Sequence, residues 1–337
     1  MTHILYIGNK LASEERNASA IDCLGPLLEG EGYRVYYASS KLNKIGRLLD
    51  MLWACWRYRH TVHMVLIDTY STLNFWYALC VSQLCRLLKL KYIPILHGGN
   101  LPKRLETNPY LSRLLFCYAY KYVAPSAYLK KAFETHGYTN VGHIPNTLSL
   151  AMYPFKDRGF EQINLLWVRS FARIYHPELA VKILKNIQEQ GVKASLCMVG
   201  PDSGDRSLQV TQTLAETLGV NVRVTGKLTK EAWIALSEDY NVFINTSNFD
   251  NMPVSVMEAM ALGLPVVSTN VGGMPFLIDN KVNGILVPPN DEKAFTNALL
   301  AIYSRPQNAL QMAKQARMVV EKIDWKQVRQ LWRNVLQ

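Results

Sequence analysis

Residues 243–289 read FINTSNFDNMPVSVMEAMALGLPVVSTNVGGMPFLIDNKVNGILVPP. An apolar run, Val242–Asn245, ends in a polar loop, Thr246–Met252. Pro253 then opens a helical stretch to Leu262, at the helix position where a missing N–H costs nothing. Two further short apolar runs, Pro265–Ser268 and Gly284–Val287, predict two more strands. Strands that are apolar throughout, rather than alternating, and that are separated by helices predict a parallel sheet covered on both faces.

The same alternation extends over the rest of the chain. Strands are expected at His3–Ile7, Tyr33–Tyr37, His63–Ile67, Tyr92–Leu96, Tyr122–Ala124 and Val141–Ile144. The pattern loosens over Tyr153–Phe160, whose Pro154, Lys156, Asp157, Arg158 and Gly159 read as a linker. It restarts with Ile163–Val168, Ala194–Val199 and Val222–Thr225, with a helix at Pro177–Gln190. After Pro306 only helical periodicity remains, with Asp324 as a cap for the last helix. The expected architecture is α/β: two Rossmann-like, doubly wound parallel-sheet domains facing a cleft, over 1–155 and 156–310. Helices at 311–337 are expected to cross back to the first domain.

Length and composition agree with this. A chain of 337 residues suits two cores, and 49% hydrophobic against 19% charged residues excludes disorder. The stretch Thr69–Cys85 is uncharged, but Ser71, Thr72, Asn74, Ser82 and Gln83 interrupt it, so it reads as a buried helix rather than a membrane span. The opening MTHILYIGNK has no basic leader or cleavage site and reads as a strand. None of the six cysteines forms a C-x-x-C pair, which argues against a zinc or redox site and for a reducing cytoplasm. Net charge is +11, of which residues 1–150 carry +8. That asymmetry implies an anionic partner, a phosphorylated substrate or phospholipid headgroups, and no nucleic-acid motif accompanies it.

Several residue groups carry candidate chemistry. The unbonded N–H groups at the start of the 253–262 helix form an anion site at the end of a strand. Glu258 on that helix and Asp250 before it would repel phosphate, which suits them to accepting hydrogen bonds from sugar hydroxyls. Helix capping is an equal reading for Asp250, and a solvated face is the alternative for Glu258. Arg169 and Arg173, in WVRSFAR at the end of a strand, suit a diphosphate. His97 follows a strand and precedes Gly98 and Gly99, which let a ligand approach the backbone. Lys41–His60 interleaves Leu42, Ile45, Leu48, Leu49, Leu52, Trp53 and Trp56 with Lys44, Arg47, Arg57 and Arg59. It reads either as a helix on a membrane surface or as a core helix with a basic outer face. Neither G-x-G-x-x-G nor a Walker A sequence occurs.

The spacing Asp250-x7-Glu258, with EAMALGLPVVSTNVGGMPFLI and NGILVPP after it, resembles the E-x7-E block of family 4 glycosyltransferases of the GT-B fold. Asp250 stands where that family usually has its first Glu. The resemblance implies glycosyl transfer from a nucleotide-diphosphate sugar with retention of configuration, and no metal or cofactor beyond the donor. By the same resemblance Glu258 would bind ribose hydroxyls, while Asp250 and the backbone of Asn251, Met252 and Pro253 face the transferred sugar. Arg169 matches the family's Arg, and Arg173 is offset from its usual Lys. His97 would face the donor sugar near the reacting carbon. Gly8, in the loop that runs to Arg16-Asn17-Ala18, would lie near the phosphates or acceptor, and Gly200 and Lys227 would line the base. The implied acceptor is a saccharide or lipid-linked saccharide, handled at the inner face of a membrane in surface polysaccharide synthesis. A GT-B epimerase, a phosphorylase and a non-catalytic sugar-nucleotide binding module remain open at this stage.

Overall fold

The computed structural model describes residues 1–11 and 19–337 and divides the chain into two units. The first unit comprises Met1–Asn146 with Trp325–Gln337, and the second is Thr147–Asp324.

The first unit is built on six parallel strands: β1 (His3–Ile7), β2 (Arg34–Ala38), β3 (Met64–Thr69), β4 (Tyr92–Leu96), β5 (Tyr122–Ala124) and β6 (Val141–His143). Their order is β2-β1-β3-β4-β5-β6, so the chain reverses its direction of travel across the sheet between β1 and β3. Every residue of β3 and β4 is buried, which is why these strands carry no polar alternation. The closing helix Trp325–Leu336 buries Val328, Trp332 and Leu336, a spacing of four that puts them on one face. Arg329 and Arg333 of this helix both pair with Glu31.

The second unit repeats the design with β7 (Ile163–Val168), β8 (Ala194–Val199), β9 (Val222–Gly226), β10 (Val242–Asn245), β11 (Val266–Thr269) and β12 (Ile285–Val287). Their order is β12-β11-β10-β7-β8-β9, with the reversal between β7 and β10. The core packs Leu165, Trp167, Leu196, Met198, Val242 and Ile244 against Leu179, Ile183 and Ile187 of the helix Pro177–Glu189.

Three sequence expectations change. Of the helices at 311–337 only Trp325–Gln337 joins the first unit, while the helix Pro306–Glu321 belongs to the second. The stretch read as a linker is part of the second unit, and the division falls at 146/147 rather than 155/156. Arg158 is buried there, and its guanidinium donates to the carbonyls of Ser237, Tyr240 and Leu262. Composition marked the segment as polar, but its arginine is spent on closing off buried carbonyls. The helix expected to begin at Pro253 runs over Val254–Ala261, with Pro253 as its N-cap residue.

Candidate active site

In open α/β sheets, ligands bind beyond the carboxyl ends of the strands where the strand order reverses. In the second unit that point lies between β7 and β10. Arg169 directly follows β7, and the loop 246–253 follows β10. The Arg169 guanidinium pairs there with the Asp250 carboxylate, and it lies 4.7 Å from the centre of the Tyr175 ring. Burial pushes the Arg169 guanidinium below its ordinary value, against the opposing pull of Tyr175 and Glu258. Its buried Nε has no hydrogen-bond partner among the described residues, so the group keeps donor capacity in reserve.

The loop that carries Asp250 is tied at several points. Thr246 Oγ1 accepts from Trp167 Nε1 at 3.0 Å and donates to the Tyr175 carbonyl at 2.8 Å. Thr269 Oγ1 donates to the Ser247 carbonyl at 2.6 Å. The Gly273 N–H donates to the Asp250 carbonyl at 3.0 Å. A Cβ at Gly272 or Gly273 would lie 1.9 Å from the carbonyl oxygen of Asp250 or Asn251 respectively, so this contact requires the glycine pair. Asp250 Oδ1 accepts from the Asn251 N–H at 3.0 Å. Asp250 is therefore not the helix cap that sequence left open, because Pro253 holds that place.

Glu258 is 3% exposed, so the solvated-face reading fails. Its Oε1 accepts from the Tyr153 hydroxyl at 2.7 Å and pairs with the Lys230 ammonium. Lys230 opens the helix Lys230–Leu236, which Thr229 caps by accepting from the Ala232 N–H. Sequence reasoning found neither partner of Glu258, since they lie 105 and 28 positions away. Ser255, in the first turn of the same helix, has a buried hydroxyl with no partner among the described residues.

The remaining predicted residues lie as follows. Gly200 follows β8, and a Cβ there would lie 1.7 Å from the Arg169 carbonyl oxygen. Lys227 is half-buried directly after β9. Arg173 is exposed on a short 3-10 turn, Arg173–Tyr175, and its main-chain N–H donates to Asp205 at 2.8 Å. Among the described residues its guanidinium has no hydrogen-bond or ion-pair partner, and the structure does not bring it to Asp250 or Glu258.

In the first unit, His97 follows β4 and its Nε2 lies 2.8 Å from Asp68 Oδ1. Asp68 also accepts from the Tyr6 hydroxyl at 3.0 Å. Burial, then the Asp68 charge, raises the Tyr6 phenol well above its ordinary value, which keeps it a proton donor. The His97 ring stacks on Tyr70 with centroids 5.2 Å apart. Gly8 lies at the reversal point, where a Cβ would come 2.5 Å from Asp68 Oδ2. Asp68 was missed because it sits inside an apolar strand and has no motif around it. The Arg16-Asn17-Ala18 segment lies outside the described residues. No group of three His, Cys, Asp or Glu side chains among the described residues is placed to hold a metal ion.

Residues 157–319 match the family model of glycosyl transferases group 1, which covers most of the second unit. An amylovoran biosynthesis glycosyltransferase of Erwinia amylovora is 24% identical over 271 residues, covering 74% of this chain and 64% of the relative. The chain thus spans less than two thirds of that relative's length. The sucrose-phosphate synthase structure from Thermosynechococcus elongatus superposes with a TM-score of 0.83 at 19% identity, covering 99% of each chain. The structure of Anabaena HepE in complex with UDP-glucose gives 0.79 at 17% identity, again covering 99% of each. The fold is the two-domain α/β GT-B fold.

Proposed function

We propose that this chain is a glycosyltransferase. It moves a sugar from a nucleotide-diphosphate donor, with retention, onto a saccharide or lipid-linked saccharide. Its work belongs to surface polysaccharide synthesis at the cytoplasmic face of a membrane. The observation that carries the reading is the Arg169–Asp250 pair at the reversal of the second sheet, beside a helix start with an unpartnered Ser255 hydroxyl. A diphosphate arriving there exchanges partners with Asp250, taking Arg169 and freeing the carboxylate for a sugar hydroxyl. Glu258, held by Tyr153 and Lys230, accepts from the ribose hydroxyls.

As the anomeric bond breaks, charge grows on the diphosphate. Arg169 and the free N–H groups of the helix start meet that charge without reorganising. No metal or cofactor is assigned a step. The leaving phosphate oxygen takes the proton of the acceptor hydroxyl, so no protein nucleophile is needed. In the first unit, His97, fixed through Nε2 by Asp68, has Nδ1 left for a sugar hydroxyl. The polysaccharide role of the Erwinia relative and the UDP-glucose held by the Anabaena protein make UDP-sugars the first donors to test. Calorimetric titration with a panel of nucleotide sugars is expected to show one binder, displaced by its own nucleotide diphosphate. If no nucleotide sugar binds the folded chain, the proposal fails.

A further inference from the structure

The helix Lys44–Tyr58 in the first unit has two apolar faces, and the core uses only one. Met51, Ala54 and Cys55 are buried, and Leu48, Leu52 and Tyr58 pack against the core. Ile45, Leu49, Trp53 and Trp56 are instead 72%, 61%, 51% and 54% exposed. At 100° per residue these four fall within an arc of about 80°. Leu42, just before the helix, is also exposed. The outer face is therefore neither the core face nor the basic face that a solvated helix would present. An apolar stripe of this kind marks an interaction surface.

Cations border the stripe. Lys41, Lys44 and Arg57 are exposed and Arg59 is half-buried, while Asp50 is the one acid between residues 41 and 60. The Arg57 guanidinium lies 4.7 Å from the centre of the Trp53 ring, and that of Arg59 lies 4.2 Å from Trp56. A tryptophan under an arginine, with aliphatic side chains alongside, matches the boundary between lipid headgroups and acyl chains. The segment is also held in place. Asn43 Oδ1 accepts from the N–H groups of Ile45 and Gly46. Buried Arg47 donates to the carbonyls of Lys41 and Leu42 and to Asn9 Oδ1. No described helix is long and apolar enough to cross a membrane, so this one can only lie along it.

We propose that this face docks on an anionic phospholipid surface. Ile45, Leu49, Trp53 and Trp56 enter the headgroup–acyl boundary, and Lys41, Lys44, Arg57 and Arg59 meet headgroup phosphates. The inference rests on the membrane side of the proposed function and gives it a seat on the molecule. Charge selects lipid over a second copy of the chain. A two-fold interface through this stripe would bring both sets of cations together with almost no acid between them.

The test is co-sedimentation with phosphatidylcholine vesicles with and without phosphatidylglycerol, at low and high salt. The wild-type chain is expected to bind the anionic vesicles at low salt and to release as salt rises. Trp53→Ala with Trp56→Ala is expected to cut the partition coefficient by roughly tenfold or more. It should also remove the quenching of tryptophan fluorescence by brominated lipid. Arg57→Gln with Arg59→Gln is expected to flatten the salt dependence. Unchanged nucleotide-sugar affinity in each variant confirms its fold and keeps docking separate from donor binding. Three results overturn the docking proposal: no vesicle binding by the wild type, equal binding by the double tryptophan variant, or a solution mass of two chains that this variant halves. Failure of the wild type to bind nucleotide sugar would overturn the transferase reading and leave the vesicle result standing.

Discussion

The two sheets reverse their strand order in the same way, yet the side chains at the two reversal points differ in kind. Beyond β7 and β10 stand opposite charges in pairs, Arg169 with Asp250 and, on the neighbouring helix, Lys230 with Glu258. At the reversal in the first unit, the described residues place one buried carboxylate, Asp68 near the end of β3, contacted by a phenol and an imidazole. Paired charges can exchange partners when a ligand arrives, and each pair offers a cation for phosphate and a carboxylate for hydroxyls. A lone carboxylate that fixes an imidazole suits a neutral group and the placement of a proton. One topology thus carries paired charges at the reversal point of one unit and a lone, hydrogen-bonded carboxylate at that of the other. The difference comes from a handful of residues at strand ends.

Substitutions at four positions probe that contrast. Arg169→Ala should have the largest effect, lowering kcat by roughly 100- to 1000-fold, because it removes a preorganised donor aimed at charge that grows in the transition state. Donor affinity should fall less than turnover, and Arg169→Lys should not restore it. Wild-type turnover with weakened binding would instead make Arg169 a ground-state anchor. Glu258→Ala should weaken nucleotide-diphosphate binding by about 2 kcal/mol, roughly thirtyfold, as a charged hydrogen-bond partner is lost. Calorimetry on the folded variant checks this, and unchanged affinity would remove Glu258 from the donor site.

Asp68→Asn should reduce kcat by roughly tenfold through a misplaced His97 while leaving nucleotide affinity unchanged. If it weakens nucleotide binding as much as Glu258→Ala does, the division of labour between the units collapses. Arg173→Ala should be the mildest, changing turnover and binding by less than about twofold, since the side chain is exposed and unpaired. A loss comparable to that of Arg169→Ala would show that the turn Arg173–Tyr175 rearranges when donor binds.

Strands were the most legible part of the chain. His3–Ile7, Tyr92–Leu96, Tyr122–Ala124, Ile163–Val168, Ala194–Val199 and Val242–Asn245 are found with their expected bounds, and the others differ by one or two residues at one or both ends. Parallel strands buried on both faces leave a continuous apolar signal that polar loops cut off cleanly. The block 243–289 also showed which residues follow β10. What sequence could not show was pairing across distance. Lys230 looks like any charged residue at a helix start until the fold sets it on Glu258. Asp68 looks like a polar intrusion in a strand until His97 and Tyr6 meet it. Arg158 read as linker polarity because burial has no local signature. The exposed stripe at Ile45, Leu49, Trp53 and Trp56 was ambiguous for a related reason. Periodicity shows that a helix has an apolar side, and when it has two it does not say which one the core takes.

The return of Trp325–Gln337 to the first unit has a consequence for dissecting the molecule. In chain order the second unit is an insertion: it starts at Thr147 and ends at Asp324, and Thr147 and Leu148 hydrogen-bond to the Ile323 carbonyl beside that exit. Its two ends are thus adjacent, as in a module that can be lifted out of a host gene and closed on itself. The first unit cannot be obtained by a single stop codon. A chain ending at Asn146 would lack the helix that carries Val328, Trp332 and Leu336 and would leave Glu31 without Arg329 and Arg333. To isolate it, a short tether must replace the whole insertion.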